Sequence, residues 1–302
     1  MSGSLNEIVF ENVRDIDLEH VFQCGQCFRW TPVTGGSGVE SGPDGKEDAA
    51  QEYQGAAGQW YCRAKLDRDQ AEENAGTLVL NVSGGSREFW ENYFDLKKDY
   101  GYIKARLIRE EPEIARATEA GGGIRILNQD FWEVLVSFIV SQNNNIPRIM
   151  KCIRGLCEKF GDPVFTDETG DAWYGFPSPE SLASVTTEDL AEIKLGYRDE
   201  YIIRAARRFL ELGEPSGSME EKRTELLGYH GIGPKVADCI MLFGCREFRA
   251  FPIDTWVKTI MNDMYGFDRK DVKGMQAFAR EKFGDLRGYA QQYLFYLYRD
   301  KK

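Results

Sequence analysis

The sequence lacks any long apolar run. The longest uncharged, largely apolar stretch, residues 134–140, would cover about a third of a membrane-spanning helix. The first seven residues, Met-Ser-Gly-Ser-Leu-Asn-Glu, lack the basic segment and the apolar segment of a secretory signal. We therefore expect an intracellular protein that is neither secreted nor held in a membrane.

The sequence also lacks a basic excess, because its formal net charge is -11. Taken alone, this charge argues against binding to nucleic acid. The distribution of charge changes that conclusion: from Lys194 onward, 20 Lys and Arg face 16 Asp and Glu, while residues 35–52 form a local acidic stretch with five Asp and Glu against one Lys. A basic C-terminal half can still hold phosphates. The seven cysteines are irregularly spaced, which is typical of reduced thiols rather than a disulfide framework.

No internal repeat is present, and the chain divides into two parts. Short runs of β-forming residues at 28–30, 59–66 and 76–82 predict strands, while the polar residues 35–58 predict a solvated acidic loop. After three glycines at 121–123, apolar residues recur at helical spacing nearly to the end. We therefore predict an α+β fold, with an N-terminal antiparallel β domain and flanking helices over residues 1–115, and a mostly helical body over residues 116–302.

A glycine-rich turn between two predicted helices carries the first functional signal. Residues 219–245 predict a helix-hairpin-helix, in which Gly231 and Gly233 permit unusual backbone angles and Pro234 opens the second helix. The free amides at that helix start form a site for one phosphate. This pattern is typical of proteins that recognise DNA by shape rather than by sequence.

Lys235 and Asp254, which both follow the turn, indicate a catalytic function as well as DNA binding. Lys235 lies in the first turn of its helix, where the helix dipole and burial disfavour an ammonium, so we expect a neutral, nucleophilic amine. Asp254 lies 19 residues further on, at the predicted start of the next helix. Its carboxylate would steer the amine and stabilise positive charge on a sugar. The alternative is that Asp254 is only a helix N-cap.

Residues 222–262 resemble the helix-hairpin-helix, Gly/Pro-Asp DNA glycosylases, and among them the 8-oxoguanine DNA glycosylase/lyases. Further motifs of that family align in order over nearly the whole chain: GQCFRW at 25–30, SFI at 137–139 with NNNIPR at 143–148, LGYR at 195–198, KVADC at 235–239 and GYAQQYLF at 288–295. The resemblance implies that Lys235 attacks the sugar C1′, expels the damaged base through a Schiff base and nicks the strand by β-elimination, with Asp254 as its carboxylate partner.

The resemblance also implies where the base and the DNA are held. The Gly25 carbonyl would accept the N7 hydrogen of 8-oxoguanine, Gln291 would bind the pairing edge, and Phe295 and Cys239 would contact the faces of the base. The residues expected to bind the DNA around the extruded base are Asn143, Arg148 and Arg198, which would read the orphaned cytosine, Tyr197, which would wedge the stack, and Gly231 and Gly233 of the hairpin. One departure is Trp256, which stands where a histidine is expected.

The implied partner is double-stranded DNA containing 8-oxoguanine, bound by a monomeric protein located in the cytoplasm at the nucleoid or in the nucleus. No cofactor is expected to be required. A structural monovalent or calcium ion is expected at the backbone carbonyls of Leu227, Tyr229 and Ile232. An iron–sulfur cluster is not expected, because no cysteine follows Cys245.

Two other functions compete with this hypothesis. A non-catalytic helix-hairpin-helix protein that binds DNA lesions would have no need for Lys235 together with Asp254. A monofunctional glycosylase for alkylated purines would need an activated water rather than an amine. The Cys-x-x-Cys at residues 24–27 lacks a second pair, so we interpret it as pocket-lining thiols rather than a zinc site.

Overall fold

The computed structural model describes residues 4–33, 51–69, 75–167 and 170–299, and its N-terminal part is built on an antiparallel sheet. Its strands are β1 (Asn6–Arg14), β2 (Trp30–Pro32), β3 (Gln51–Ala57), β4 (Trp60–Arg68) and β5 (Ala75–Val82). They lie in the order β1-β5-β4-β3-β2. On β5, the fully buried Leu78, Leu80 and Val82 alternate with partly buried residues, because successive side chains of a strand face opposite sides of the sheet. The predicted sheet is thus confirmed.

The prediction of a loop over residues 35–58 is wrong for its last part. Residues 51–57 form β3, which pairs along its whole length with β4. The residues Gly55, Ala56 and Ala57 resemble a loop in sequence, but the absence of a side chain at Gly55 has a packing reason: a Cβ there would lie 2.6 Å from the Trp30 ring. The earlier part of the predicted loop, residues 35–50, lies outside the described residues. Strand β1 had not been predicted at all.

Two short helices cover the sheet, α1 (Leu18–Gln23) and α2 (Arg87–Tyr93). The Trp30 ring stacks on Phe22 with centroids 4.2 Å apart, and its indole N–H donates to the Tyr93 hydroxyl at 2.9 Å. Ser86 caps α2 as its sequence predicts, since its hydroxyl accepts the Phe89 N–H at 3.1 Å. These contacts give the N-terminal part its own apolar core.

The remainder is a helical body, as the sequence predicts. Its helices are α3 (Tyr100–Glu110), α4 (Ala115–Ala120), α5 (Phe131–Ser141), α6 (Ile146–Phe160), α7 (Pro179–Ser184), α8 (Thr187–Leu190), α9 (Arg198–Leu212), α10 (Met219–Leu227), α11 (Pro234–Phe243), α12 (Thr255–Tyr265), α13 (Val272–Phe283) and α14 (Arg287–Arg299), with a small hairpin of β6 (Pro163–Thr166) and β7 (Ala172–Tyr174). Helix α5 is buried from residue 131 to residue 140 and forms the centre of this core. Within the described ranges, no helix is long and apolar enough to cross a membrane.

The loop between α1 and β2 joins the two parts. The Arg29 guanidinium forms a buried ion pair with Glu133 of α5 at 2.8 Å and donates to the Tyr174 carbonyl. The Gln26 amide donates to the Arg125 carbonyl at 2.8 Å, and its oxygen accepts the Leu127 N–H at 2.9 Å. Gly25 is therefore held firmly against the helical body.

Candidate active site

A cavity of about 420 Å³ opens between the residue 24–28 loop, the junction of α5 and α6, and the helices α11, α12 and α14. Aromatic rings form much of its wall, contributed by Phe28, Phe138, Phe243 and Phe295. Polar groups reach it from separate elements: Lys235 and Cys239 from α11, Asp254 from the start of α12, and Gln291 and Gln292 from α14. Such a mostly apolar pocket with a few convergent polar groups is the usual form of a ligand site.

Lys235 follows Pro234 in the first turn of α11, as predicted. Its ammonium lies 5.7 Å from the centre of the Phe138 ring and hydrogen-bonds to the Cys239 thiol one turn along the helix. The prediction of a neutral amine is wrong for the free protein: interaction with the Cys239 sulfur raises the pKa of Lys235, burial opposes the rise, and the Asp254 carboxylate adds to it. The amine therefore holds its proton at neutral pH.

Asp254 caps α12 and also lines the cavity, so its two interpretations are compatible. Its carboxylate accepts the Val257 N–H at 2.8 Å, which satisfies one free amide of the helix start. Burial raises the pKa of Asp254, although the backbone amides and the nearby Lys235 oppose the rise. This carboxylate consequently takes up a proton more readily than an exposed aspartate does.

The four predicted pocket residues, Gly25, Cys239, Gln291 and Phe295, all line this cavity. Gly25 has a left-handed φ of 76°, and a Cβ on it would lie 3.3 Å from the Phe295 ring. Burial raises the pKa of the Cys239 thiol to about 11, so the sulfur is protonated at neutral pH. Backbone and ring therefore meet closely at one end of the cavity, and Gly25 suits this contact because it has no side chain.

The structure adds Phe28 and Gln292, which the sequence did not single out, to the lining of the cavity. Phe28 lies within the GQCFRW motif and Gln292 within the GYAQQYLF motif, so their membership in these motifs was the available signal of a place in the pocket. Of the two thiols at residues 24–27 interpreted as pocket-lining, Cys24 lines the cavity, whereas Cys27 is buried in the N-terminal core. Trp256, the departure from the expected histidine, also lines the cavity.

The residues predicted to contact DNA lie beside the cavity rather than in it. Asn143, in the turn after α5, has a left-handed φ of 47°, and its amide donates to the Tyr197 hydroxyl at 3.2 Å. Arg148 is exposed at the start of α6 and donates to the Lys194 carbonyl at 3.2 Å. These hydrogen bonds join the turn before α6 to the turn before α9 at one rim of the cavity.

Arg198 lies at this rim but does not point outward. Its buried guanidinium donates to the carbonyls of Gln142, Asn143 and Leu195, and its centre lies 4.6 Å from the middle of the Tyr197 ring. In the free protein, Arg198 thus fixes the backbone that carries Asn143, while Tyr197 is 46% exposed.

The helix-hairpin-helix forms as predicted, with α10 and α11 joined by a tight turn. Ser218 and Glu221 form the capping box that starts α10. Gly231 has a φ of 82°, and a Cβ there would lie 2.3 Å from the Tyr201 ring. By contrast, Gly233 caps α11 with open space around its Cα, which leaves the helix start accessible to a ligand.

Both parts of the chain match known protein families. Residues 8–135 match the family described as the 8-oxoguanine DNA glycosylase N-terminal domain, and residues 136–284 match the HhH-GPD superfamily of base excision DNA repair proteins. An N-glycosylase/DNA lyase of Saccharomyces cerevisiae is 40% identical over 159 residues, which cover 47% of this chain and 42% of that protein. A probable N-glycosylase/DNA lyase of Methanothermobacter thermautotrophicus is 30% identical over 69% of this chain and 73% of that protein.

The solved structures include a close likeness. The Clostridium acetobutylicum 8-oxoguanine glycosylase/lyase, in complex with double-stranded DNA containing cytosine opposite 8-oxoguanine, is 36% identical and superposes with a TM-score of 0.81. The match covers 99% of this chain and 98% of that one. Both halves of the fold are therefore shared, and the chain belongs to the 8-oxoguanine DNA glycosylase family within the HhH-GPD superfamily.

Proposed function

We propose that this protein excises 8-oxoguanine opposite cytosine from double-stranded DNA and then cleaves the strand, with Lys235 as the nucleophile. The observation that carries the proposal is the meeting of Lys235 and Asp254 in one cavity with Gly25, Cys239 and Phe295. A lesion-binding protein without activity has no chemical reason to bury an amine beside a carboxylate.

The chemistry begins with loss of a proton from Lys235, because only the neutral amine is a nucleophile. Asp254 is suited to receive this proton because burial raises its pKa. The Lys235 nitrogen then bonds to C1′, the glycosidic bond breaks with its electron pair going to the base, and a proton neutralises the departing base. The nitrogen then loses a second proton, and the C1′–O4′ bond breaks with its electron pair going to O4′, which takes up a proton, so that a Schiff base forms between the nitrogen and C1′. This Schiff base makes a C2′ hydrogen acidic, and its loss drives a β-elimination that breaks the bond from C3′ to its phosphate oxygen.

The base is selected by hydrogen bonds in the pocket. We assign the Gly25 carbonyl to the N7 hydrogen that 8-oxoguanine has and guanine lacks, Gln291 to the pairing edge, and Phe295 and Cys239 to the faces. Unmodified guanine would leave the carbonyl unpaired in a closed pocket, at a cost of about 1 to 3 kcal/mol. This difference supports discrimination by a single backbone acceptor.

Extrusion of the base costs a few kcal/mol, which contacts to the opened duplex must offset. We assign Asn143, Arg148 and Arg198 to the orphaned cytosine, with Arg198 exchanging its Gln142 contact for the base, and we assign Tyr197 to the stack. The exposure of Tyr197 and Arg148 supports these roles. The amides after Gly231 and Gly233 would hold one phosphate.

The hairpin turn fits a hard cation. The carbonyl of Leu227 lies at the C-terminal end of α10, where the helix dipole is negative, and those of Tyr229 and Ile232 follow in the turn before α11. Oxygen ligands of this kind suit a monovalent or calcium ion, which would supply positive charge beside a bound phosphate. We propose this structural ion and no other cofactor.

The proposal extends to organisation and location. We propose two domains, a β domain over residues 1–115 and a helical body over residues 116–302, and two separate clusters of buried side chains support a division into two parts. The buried side chains of α3 belong to the cluster of the helical body, so within residues 1–115 this helix packs with that body. We propose that the protein acts as a monomer inside the cell, at the nucleoid or in the nucleus.

Borohydride trapping tests the nucleophile. A duplex with 8-oxoguanine opposite cytosine should give a covalent adduct with the unaltered protein and none with Lys235→Gln. Lys282→Gln, which changes a lysine of α13 outside the cavity, serves as the matched control and should trap normally. Tight binding to the lesion without base release or trapping would instead establish the non-catalytic lesion-binding function.

A further inference from the structure

Gln292 is a buried carboxamide on the cavity wall that the chemistry above does not use. It follows Gln291 on α14, is only 2% exposed and lines the same cavity as Lys235. A polar side chain is unfavourable in such a place unless its donors and acceptors are satisfied. Its contacts therefore indicate what the cavity is built to receive.

The two neighbouring carboxamides are paired in one direction. The Gln292 amide N–H donates to the Gln291 oxygen at 2.8 Å. The Gln292 oxygen is buried and has no hydrogen-bond partner in the described part of the protein. Gln291, whose oxygen is occupied, thus keeps its amide N–H as the group for a ligand, and Gln292 keeps an unsatisfied acceptor just beneath the surface of the cavity.

This donor and acceptor match the pairing edge of a guanine-type base. That edge carries the O6 acceptor beside the N1–H donor, whereas an adenine-type base carries a 6-amino donor beside the N1 acceptor. An extruded base is recognised through this edge. We propose that Gln292 is a further specificity-determining residue, whose side-chain oxygen accepts an N–H of the 8-oxoguanine pairing edge and so rejects 8-oxoadenine.

8-Oxoadenine is the informative competitor because it also carries an N7 hydrogen. The Gly25 carbonyl cannot distinguish the two oxidised purines, so the discrimination falls to the amide pair. This inference rests on the proposed function, since it concerns the base that the Lys235 chemistry removes. It goes beyond that function by assigning rejection of 8-oxoadenine to two adjacent residues of α14.

The test compares base excision with strand cleavage. The variant Gln292→Met keeps the length of the side chain and removes both of its polar atoms. It is assayed under single-turnover conditions on three duplexes. Two carry 8-oxoguanine or 8-oxoadenine opposite cytosine, and the third carries a preformed abasic site. We expect 8-oxoguanine excision to fall about 10- to 100-fold, and the preference over 8-oxoadenine to narrow similarly. Cleavage at the abasic site should be unchanged, because that substrate has no base.

Tyr293→Phe is the matched control. It removes an equally buried hydroxyl that also lacks a hydrogen-bond partner within the described ranges, from the same helix but outside the cavity wall. It should leave all three activities unchanged. The inference would be overturned if Gln292→Met excised 8-oxoguanine at the normal rate and with the normal preference over 8-oxoadenine. It would also be overturned if the variant lost 8-oxoguanine excision and cleavage at the abasic site to the same extent. Failure of the unaltered protein to excise 8-oxoguanine would instead overturn the proposed function.

Discussion

Lys235 and Cys239 lie one turn apart on α11, and the ammonium of the lysine hydrogen-bonds to the thiol of the cysteine. At neutral pH both groups are protonated, since the pKa of Cys239 is about 11 and that of Lys235 is raised. The free site therefore carries a proton that must leave before the lysine can attack. This proton should govern how the reaction depends on pH.

We predict that single-turnover excision of 8-oxoguanine accelerates with rising pH. The reactive form is the neutral amine, and a raised pKa means that its fraction keeps increasing through pH 6 to 9 rather than levelling off. Asp254→Asn removes the carboxylate that helps to raise the pKa of Lys235 and should move the profile to lower pH. A rate that is flat from pH 6 upward in the unaltered protein would contradict a protonated Lys235.

Asp254→Asn separates the capping role from the catalytic one. Asparagine is as good an N-cap as aspartate, so the melting temperature should hardly change. Loss of the carboxylate should lower the excision rate about 10²- to 10⁴-fold. Thermal denaturation measures the first effect and single-turnover excision measures the second. Normal excision by the variant would show that Asp254 acts only as a helix N-cap and has no catalytic role.

Gly25→Ala should impair excision of the base more than cleavage of an abasic strand. The new Cβ meets the Phe295 ring at 3.3 Å, at the end of the cavity that we assign to the base. The left-handed φ also strains the backbone, at a cost of about 1 kcal/mol. Gly58→Ala is a suitable control because Gly58 has a φ of 55° in open space, so it suffers backbone strain alone.

Gly231→Ala should weaken binding to every duplex, damaged or not. The added Cβ would lie 2.3 Å from the Tyr201 ring, so the hairpin must shift and its amides lose their alignment on a phosphate. Binding titrations on intact and abasic duplexes should show a similar loss of affinity for both. Gly213→Ala, with a φ of 73° and no neighbour, should bind normally; equal affinity for Gly231→Ala would exclude the hairpin from the interface.

Much of the architecture could be predicted from local signals. Ser86 and Ser218 cap the helices that their sequences indicate, and the glycines of the hairpin lie at the turn. Strand β3 was missed because its small residues read as a loop, and only the tertiary contact with Trp30 explains them.

The site was predicted in its membership but not in its electrostatics. The prediction of a neutral Lys235 considered the helix dipole and burial alone. It left out Cys239, which the four-residue spacing already placed one turn away, and Asp254, which the tertiary fold brings near. The burial of Arg198 depends on carbonyls from a distant turn, so nothing local indicated it.

The buried ion pair between Arg29 and Glu133 makes the two halves of the molecule dependent on each other. A fragment ending near residue 115 would keep the guanidinium without its carboxylate, and the complementary fragment would keep the carboxylate without its guanidinium. Such a cut would also expose the apolar side chains of Phe28 and α3, which are buried in the core of the helical body. Dissection of this repair enzyme into separately produced pieces would thus yield unstable products, and point substitutions in the intact polypeptide are the sounder way to study it.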